Sequence, residues 1–158
     1  MSRFLTERTA SQTVDLCIMQ GIRPGSLEFK VDLAFGENST ALAGLQKAAQ
    51  KFLILFLTEQ GTVSVDAEAG TTFLSDLSAG LLRTDSDVAM YFKLAAQDVL
   101  DYMARQNTES TPADEILVSA ELTKIQFEYP KLVIQVQLLS QAGASASVVL
   151  PLSSVEGP

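Results

Sequence analysis

The sequence contains no histidine and no tryptophan, and Cys17 is the only cysteine among its 158 residues. Without histidine there is no imidazole base, no histidine-based catalytic triad and no histidine metal ligand. A single cysteine excludes an internal disulfide and the zinc or iron–sulfur sites that require several thiolates. We expect Cys17 to be a buried thiol and the chain to fold in a reducing cytoplasm.

Basic residues are also scarce, with 11 lysines and arginines against 19 acids and a formal net charge of −8. Nucleic acids and anionic membranes would repel such a chain, so neither is an expected partner. Residues 1–10 show no apolar secretory signal. The longest apolar run, residues 52–57, is far shorter than the ~20 residues of a membrane span, so no transmembrane helix is predicted. The mean hydropathy of +0.20 hints at a surface covered by a partner.

No Walker or dinucleotide-binding glycine pattern occurs, so the sequence predicts no cofactor. Two carboxylates are enough for glycoside hydrolysis, and the tight acidic clusters are Asp66 with Glu68 and Asp85 with Asp87. Such spacings arise freely among 19 acids, and the second pair falls at an expected helix N-terminus, where acids are favoured. We therefore interpret both pairs as solvated or capping groups and predict no catalytic residue. The loop at residues 66–70 lacks the ligands of a calcium-binding EF-hand, so no metal site is predicted.

The most apolar stretch, residues 41–61, predicts a helix that ends at a glycine. Apolar side chains recur there at steps of three and four, namely Leu42, Leu45, Ala49, Phe52 and Phe56. The last turns are apolar all round, which indicates cover on more than one side. Gly61 has no Cβ and can take the left-handed conformation that ends a helix. A loop to Gly70 follows, and Thr71 and Thr72 offer N-caps for a second, short helix starting at Phe73.

The remaining patterns predict an α+β domain. Thr84 and Asp87 form the two halves of a capping box, so a helix should begin near Ser86 and fade by Asn107. Alternating apolar residues predict a half-buried strand over residues 27–35 and three closing strands, at residues 122–129, 132–138 and 147–150, joined by short turns. We expect two main helices and a short helix packed on a largely antiparallel sheet with a C-terminal β-meander. Residues 1–25 form an expected arm with one short element, and residues 26–158 form a single domain.

The helix-to-helix segment resembles a known family. Residues 57–61 read Leu-Thr-Glu-Gln-Gly, and Gly70-Thr71 then leads into Phe73-Leu74. This is similar to the baseplate wedge, or sheath-initiator, family of contractile phage tails, some members of which have been labelled lysozyme-like. There the segment reads leucine-threonine-x-x-glycine, a short loop, and a glycine-threonine-x-leucine restart. The order of elements is similar over residues 27–152, but the family's Glu-Pro-Arg triplet is missing, because residues 109–116 contain no arginine.

The resemblance implies a structural subunit of a contractile tail baseplate rather than an enzyme. The implied partners are other wedge proteins, the tail sheath protein and the central hub or spike, with about six copies around the tail axis. The implied location is the virion, after synthesis in the bacterial cytoplasm. Two alternatives remain open, namely a tail completion or terminator protein and a carboxylate-dependent glycoside hydrolase.

The C-terminal strand carries the most specific expectation. Residues 145–150 contain no charge, so we predict an unguarded sheet edge that is available for pairing with another chain. The resemblance implies that the other chain is the sheath protein, which would add a strand to the edge. The aromatic residues of the helices, including Tyr91 and Phe92, are interpreted as core or interface packing. The hypothetical interface residues are Phe52, Phe56, Gly61, Gly70, Thr71, Phe73, Ser145, Ser147, Val148, Val149 and Leu150.

Overall fold

The computed structural model describes residues 15–16, 19–21, 28–31, 41–128 and 131–153. These residues form three helices, α1 (Gly44–Leu57), α2 (Phe73–Ser78) and α3 (Asp85–Gln106). They also form seven strands, which are β1 (Asp15–Leu16), β2 (Met19–Gly21), β3 (Glu28–Val31), β4 (Ala41–Leu42), β5 (Leu117–Glu128), β6 (Lys131–Ser140) and β7 (Ser145–Ser153). The expected α+β class is confirmed. No helix in these ranges is long and apolar enough to cross a membrane.

The main sheet has five strands in the order β2-β3-β7-β6-β5. Strands β5, β6 and β7 form the expected antiparallel meander. Strand β3 adds to it in parallel with β7, and β2 pairs antiparallel with β3. A separate ladder joins β1 to β4, directly before α1. The helices follow one another between β4 and β5, so the chain reaches the meander only after the helical segment is complete.

The core lies on one face of the meander. Every second residue of β6 is buried, and Ile134 and Val136 pair with Leu150 and Val148 of β7. Gln135 of β6 points to the other face, because successive side chains of a strand alternate. The period-two pattern in the sequence therefore predicted the buried face of these strands correctly.

An aromatic cluster joins the three helices. Phe56 of α1 lies at the centre, with its ring centroid 4.9 Å from that of Phe73 in α2 and 5.4 Å from that of Phe92 in α3. Phe52 stacks on Phe56 at 5.9 Å, and all four rings are buried. Burial of each such side chain contributes about 1.5–3 kcal/mol, so this cluster is a main source of helix packing. In the apolar last turns of α1, Phe52, Leu53 and Phe56 are buried on more than one side, as the sequence indicated, whereas Ile54 is exposed.

Helix α1 ends earlier than the expected glycine stop. Its last residue is Leu57, and the hydroxyl of Thr58 donates a hydrogen bond of 2.6 Å to the carbonyl of Ile54. This bond satisfies a terminal carbonyl before the chain reaches Gly61, so the helix needs no glycine to end. Gly61 does take the expected positive φ, +83°, in the next turn, which the N–H of Thr62 closes on the carbonyl of Glu59 at 3.2 Å.

The start of α3 agrees closely with the sequence prediction. Thr84 is the N-cap, and its hydroxyl accepts a hydrogen bond of 3.1 Å from the N–H of Asp87. The Asp87 carboxylate accepts one of 2.9 Å from the N–H of Thr84. Both halves of the capping box are therefore formed, and the helix runs to Gln106 with Asn107 as its C-cap.

The first 40 residues are described only in part. The described residues of the expected arm at residues 1–25 form two short strands, β1 and β2, where one short element was expected. Strand β3 lies inside the strand expected over residues 27–35. The other residues of that arm and strand, including Cys17, lie outside the described residues.

Strand β7 is not a sheet edge, and this part of the sequence interpretation is wrong. Strand β3 runs parallel to it and pairs at Ser147, Val148 and Val149, while β6 occupies its other side. The absence of charge reflects a position inside the sheet, where the strand is covered by the chain's own β3. The strand also continues through Pro151 to Ser153, beyond the last residue that pairs with β3, Val149.

Candidate functional site

The two halves of the family-like segment meet at one junction. The N–H of Thr71 donates to the carbonyl of Thr58 at 2.8 Å, and the N–H of Gln60 donates to the carbonyl of Thr71 at 3.1 Å. Together they form a short parallel bridge between Glu59 and Thr71. The residues just after α1 are thereby fastened to the residues just before α2.

Thr71 holds this junction from the inside. Its side chain is buried, and its hydroxyl donates a hydrogen bond of 2.8 Å to the carbonyl of Phe56 in the last turn of α1. The same oxygen accepts a hydrogen bond of 3.3 Å from the N–H of Phe73, the first residue of α2. One threonine therefore satisfies a carbonyl at the end of one helix and an N–H at the start of the next.

Gly70 is required by the closeness of the two segments. Its φ is +104°, and a Cβ built on it would lie 2.5 Å from the backbone carbonyl oxygen of Thr58. Real Cβ contacts are never this short, so any larger residue must push the segments apart. Gly61 differs, because a Cβ there would meet nothing within 4 Å. The second glycine of the segment has a packing role, whereas the first has only a conformational one.

The loop between the two glycines is braced on α3. The hydroxyl of Tyr102 donates to the Asp66 carboxylate at 2.5 Å, and Arg105 forms an ion pair of 2.8 Å with Glu68. The hydrogen bond from Tyr102 lowers the pKa of Asp66 and raises the pKa of the tyrosine hydroxyl. Val65, which directly precedes Asp66 in this loop, is 92% exposed.

Each tight acidic cluster thus has a structural role. Asp66 and Glu68 tie the loop to α3, and Asp87 completes the capping box at its first turn. The N–H of Arg83, followed by the hydroxyl of Thr84, lowers the pKa of Asp87. The pKa values of Asp66 and Asp87 are therefore lowered, which is the opposite of the raised pKa that a general acid needs.

The hypothetical interface residues fall into three places. Phe52, Phe56 and Phe73 are buried in the aromatic cluster, and Val148 and Leu150 are buried under the helices, so none of these five side chains reaches the surface. Gly70 and Thr71 are buried at the junction. Gly61 is exposed, while Ser145, Ser147 and Val149 are partly exposed along β7. The structure does not gather them into one surface.

A groove between α1 and the end of α3 was not found from the sequence. Two cavities of about 260 Å³ each share Lys47, Lys51 and Gln106 in their walls. Lys47 forms an ion pair of 2.7 Å with Oε2 of Glu115, whose side chain is only 10% exposed. The available signal was a pair of lysines four residues apart on a largely apolar helix, which places both on one side of α1.

Among the residues with described positions, no group of three or more potential ligands is arranged to hold a metal ion.

Comparison of the chain with protein-family models, with curated proteins and with solved structures found no match.

Proposed function

We propose that the chain is a structural, non-catalytic subunit of a contractile phage tail baseplate, assembling in the wedge in about six copies around the tail axis. The proposal starts from the resemblance of residues 57–61 and 70–74 to the baseplate wedge family. The α+β class and the order of helices before a closing meander agree with what that resemblance implies. Its partners are other wedge proteins, the sheath protein and the central hub or spike.

The observation that carries the proposal is the junction of the two family-like halves. The Leu-Thr-x-x-Gly and Gly-Thr segments are nine residues apart from Gly61 to Gly70, yet they bond to each other through Thr58, Gln60 and Thr71. A motif that forms one contiguous structural unit is a stronger basis for a relationship than two short matches in separate places. The unit connects three helices to a rigid loop, and such rigidity suits a subunit that other chains pack against.

The contact with the sheath needs a different edge from the one expected. Strand β7 is covered on both sides over Ser147–Val149, so it offers no free ladder there. In the described part of the chain, the long strand with one unpaired side is β5, at the end of the sheet order. Strand addition by a sheath chain would therefore take place along β5. Its ladder with β6 has irregularities near Ser119 and Lys124, which bend the strand and restrict how a partner strand can align.

The proposal is tested by the composition of purified tails. Quantitative mass spectrometry with isotope-labelled reference peptides should find this chain in intact tails, at a molar ratio to the other wedge proteins that is constant between preparations. A chain absent from tails, or present in as many copies as the sheath protein, would contradict the proposal. A copy number equal to that of the sheath would indicate a subunit repeated along the tail instead.

The hydrolase alternative is tested separately by a muralytic assay. We expect the purified chain to release no sugar or peptide from peptidoglycan, because Asp66 and Glu68 are both engaged with α3. Activity that disappears in a folded Asp66→Asn, Glu68→Gln double variant would establish the enzymatic alternative.

A further inference from the structure

The groove between α1 and α3 is lined by both charged and apolar side chains. On one side Lys47, Lys51 and Ile54 follow the spacing of a helical stripe along α1. On the other side lie residues at the end of α3 and in the segment after it. Among them are Tyr102, Gln106 and Glu115. The cavities of about 260 Å³ are smaller than the 300–1,000 Å³ typical of sites for drug-sized ligands, so they fit single side chains better than a cofactor.

The charges of the groove are not balanced. Two ammonium groups and one carboxylate line it, and the carboxylate of Glu115 is already engaged by Lys47 through Oε2. Its other oxygen, Oε1, is buried and accepts no hydrogen bond from the described residues. Lys51 has no ion pair with any residue that the structure describes, although it is partly buried. In a chain with a net charge of −8, this is a local excess of positive charge.

Partial burial makes the positive charge of Lys51 costly, because the ammonium group loses contact with water. Removal from water, and then the neighbouring ammonium of Lys47, lowers the pKa of Lys51, while Glu115 acts in the opposite direction. A carboxylate placed beside Lys51 would relieve both effects, because an opposite charge favours the ionised lysine. A charge pair formed in such a partly dehydrated place is stronger than one on an open surface.

The groove also has an apolar end. Ile54 is 45% exposed, although it lies on the same helix as the fully buried Phe52 and Phe56. Leu55 and Tyr102 line the cavity next to it. An apolar side chain that covered Ile54 would remove this surface from water at the same time as an acid reached Lys51.

We propose that this groove is a docking site for a segment of a partner protein that places a carboxylate beside Lys51 and an apolar side chain against Ile54. The proposal follows from the charge and shape of the groove and does not depend on the assignment to a phage tail. The occupant is an acidic, apolar peptide segment rather than a free anion, because a free anion would leave Ile54 exposed.

The test uses a small probe that carries both features. The ¹⁵N-labelled full chain is titrated with N-acetyl-leucine, which has a carboxylate and an isobutyl group, and with N-acetyl-leucinamide, which has only the latter. We expect saturable shifts of the Lys51, Ile54 and Gln106 amide signals with N-acetyl-leucine, with a dissociation constant in the millimolar range that ligands of this size reach. The neutral amide should bind roughly tenfold more weakly, because it lacks the charge-assisted contact.

Variants separate the two halves of the contact. Lys51→Gln should remove the preference for the carboxylate probe, whereas Lys51→Arg should retain it. Ile54→Ala should weaken binding of both probes. Lys93→Gln, which changes an exposed lysine on α3 outside the groove, should change neither affinity. Melting curves check that each variant is folded, and the comparison of the two probes on the unmodified chain holds even where a variant is not.

Several results would overturn the proposal. Equal affinity for the two probes, a preference that survives Lys51→Gln, or no saturable shift in the groove would each contradict a carboxylate contact at Lys51. Inorganic phosphate binding as tightly as N-acetyl-leucine would identify a simple anion site. Shifts of the same signals with protein concentration alone would identify a second copy of the chain as the occupant.

Discussion

Replacement of Gly70 by alanine should destabilise the fold far more than the same change at Gly61. Both glycines have positive φ values, +104° and +83°, that disfavour alanine. A left-handed conformation costs an L-residue about 1–2 kcal/mol, and this term applies at both positions. At Gly61 it is the only term, because a Cβ there has no neighbour within 4 Å.

At Gly70 two further terms are added. The new Cβ would lie 2.5 Å from the carbonyl oxygen of Thr58, which belongs to the backbone and has no rotamer to change. Relief of such an overlap typically costs about 1–3 kcal/mol. Moving the segments apart also weakens the 2.8 Å hydrogen bond from Thr71 to that same carbonyl, a further loss of about 1 kcal/mol. The expected total is about 3–6 kcal/mol for Gly70→Ala, against about 1–2 kcal/mol for Gly61→Ala.

The assay is urea denaturation at 25 °C with both variants and the unmodified chain measured side by side. A lower midpoint with an unchanged slope would show a loss of native stability. Gly61→Val should also lower the melting temperature, by about 2–4 °C for each kcal/mol lost. Equal losses in Gly61→Ala and Gly70→Ala would refute the close approach of the two segments, and an unchanged melting curve for Gly61→Val would refute the left-handed turn.

Three further changes test other parts of the fold. Thr84→Ala removes the N-cap of α3 and should cost about 1 kcal/mol in urea denaturation, whereas Ser86→Ala in the same turn should cost less. Val148→Pro should unfold the whole domain, as followed by circular dichroism, because Val148 is buried in an interior strand; retention of the helices would contradict the sheet order. Tyr102→Phe should destabilise the chain at neutral pH, and in stability measurements across the pH range this loss should shrink as the pH falls below the ordinary aspartate pKa of about 3.9 and as it rises above the ordinary tyrosine pKa of about 10. The sign follows from the lowered pKa of Asp66, whose contribution is lost as acid protonates it, and from the raised pKa of Tyr102, whose contribution is lost as base ionises it.

The helices were predictable because their signals are local. The capping box of Thr84 and Asp87 specified the start of α3 without any knowledge of its neighbours. The three-four spacing in α1 indicated a buried stripe in the same way; Phe52 and Phe56, interpreted as core or interface residues, are fully buried. The end of α1 was less predictable, since the hydroxyl of Thr58 competed with the glycine that follows it. A threonine at a helix end leaves a weaker signal in a sequence than a glycine does.

Pairings between distant segments were not predictable. The meander strands follow one another closely, so their antiparallel order could be inferred from short turns. The parallel pairing of β3 with β7 joins Phe29 to Val148, and no local pattern specifies it. The uncharged β7 is typical of an unguarded edge and of a covered interior strand alike, so its composition did not decide between them.

The groove was missed for a similar reason. Lys47 and Glu115 are 68 positions apart, and each looks like an ordinary surface charge in the sequence. The brace between Asp66 and Tyr102 likewise spans 36 positions. Both acidic clusters were interpreted as solvated or capping groups; Asp87 is a capping group, whereas the contacts of Asp66 and Glu68 with α3 became evident only in the fold.

The position of the chain in an intact tail is the most direct measurement of the central claim. Tails carrying a C-terminal tag on this chain can be labelled with gold-conjugated antibody and viewed by electron microscopy. A baseplate subunit predicts label at the distal end of the tail only, next to the first ring of the sheath. Label at the head-proximal end would instead identify a tail completion or terminator protein, and label along the whole tail, or none on any tail, would contradict the assignment.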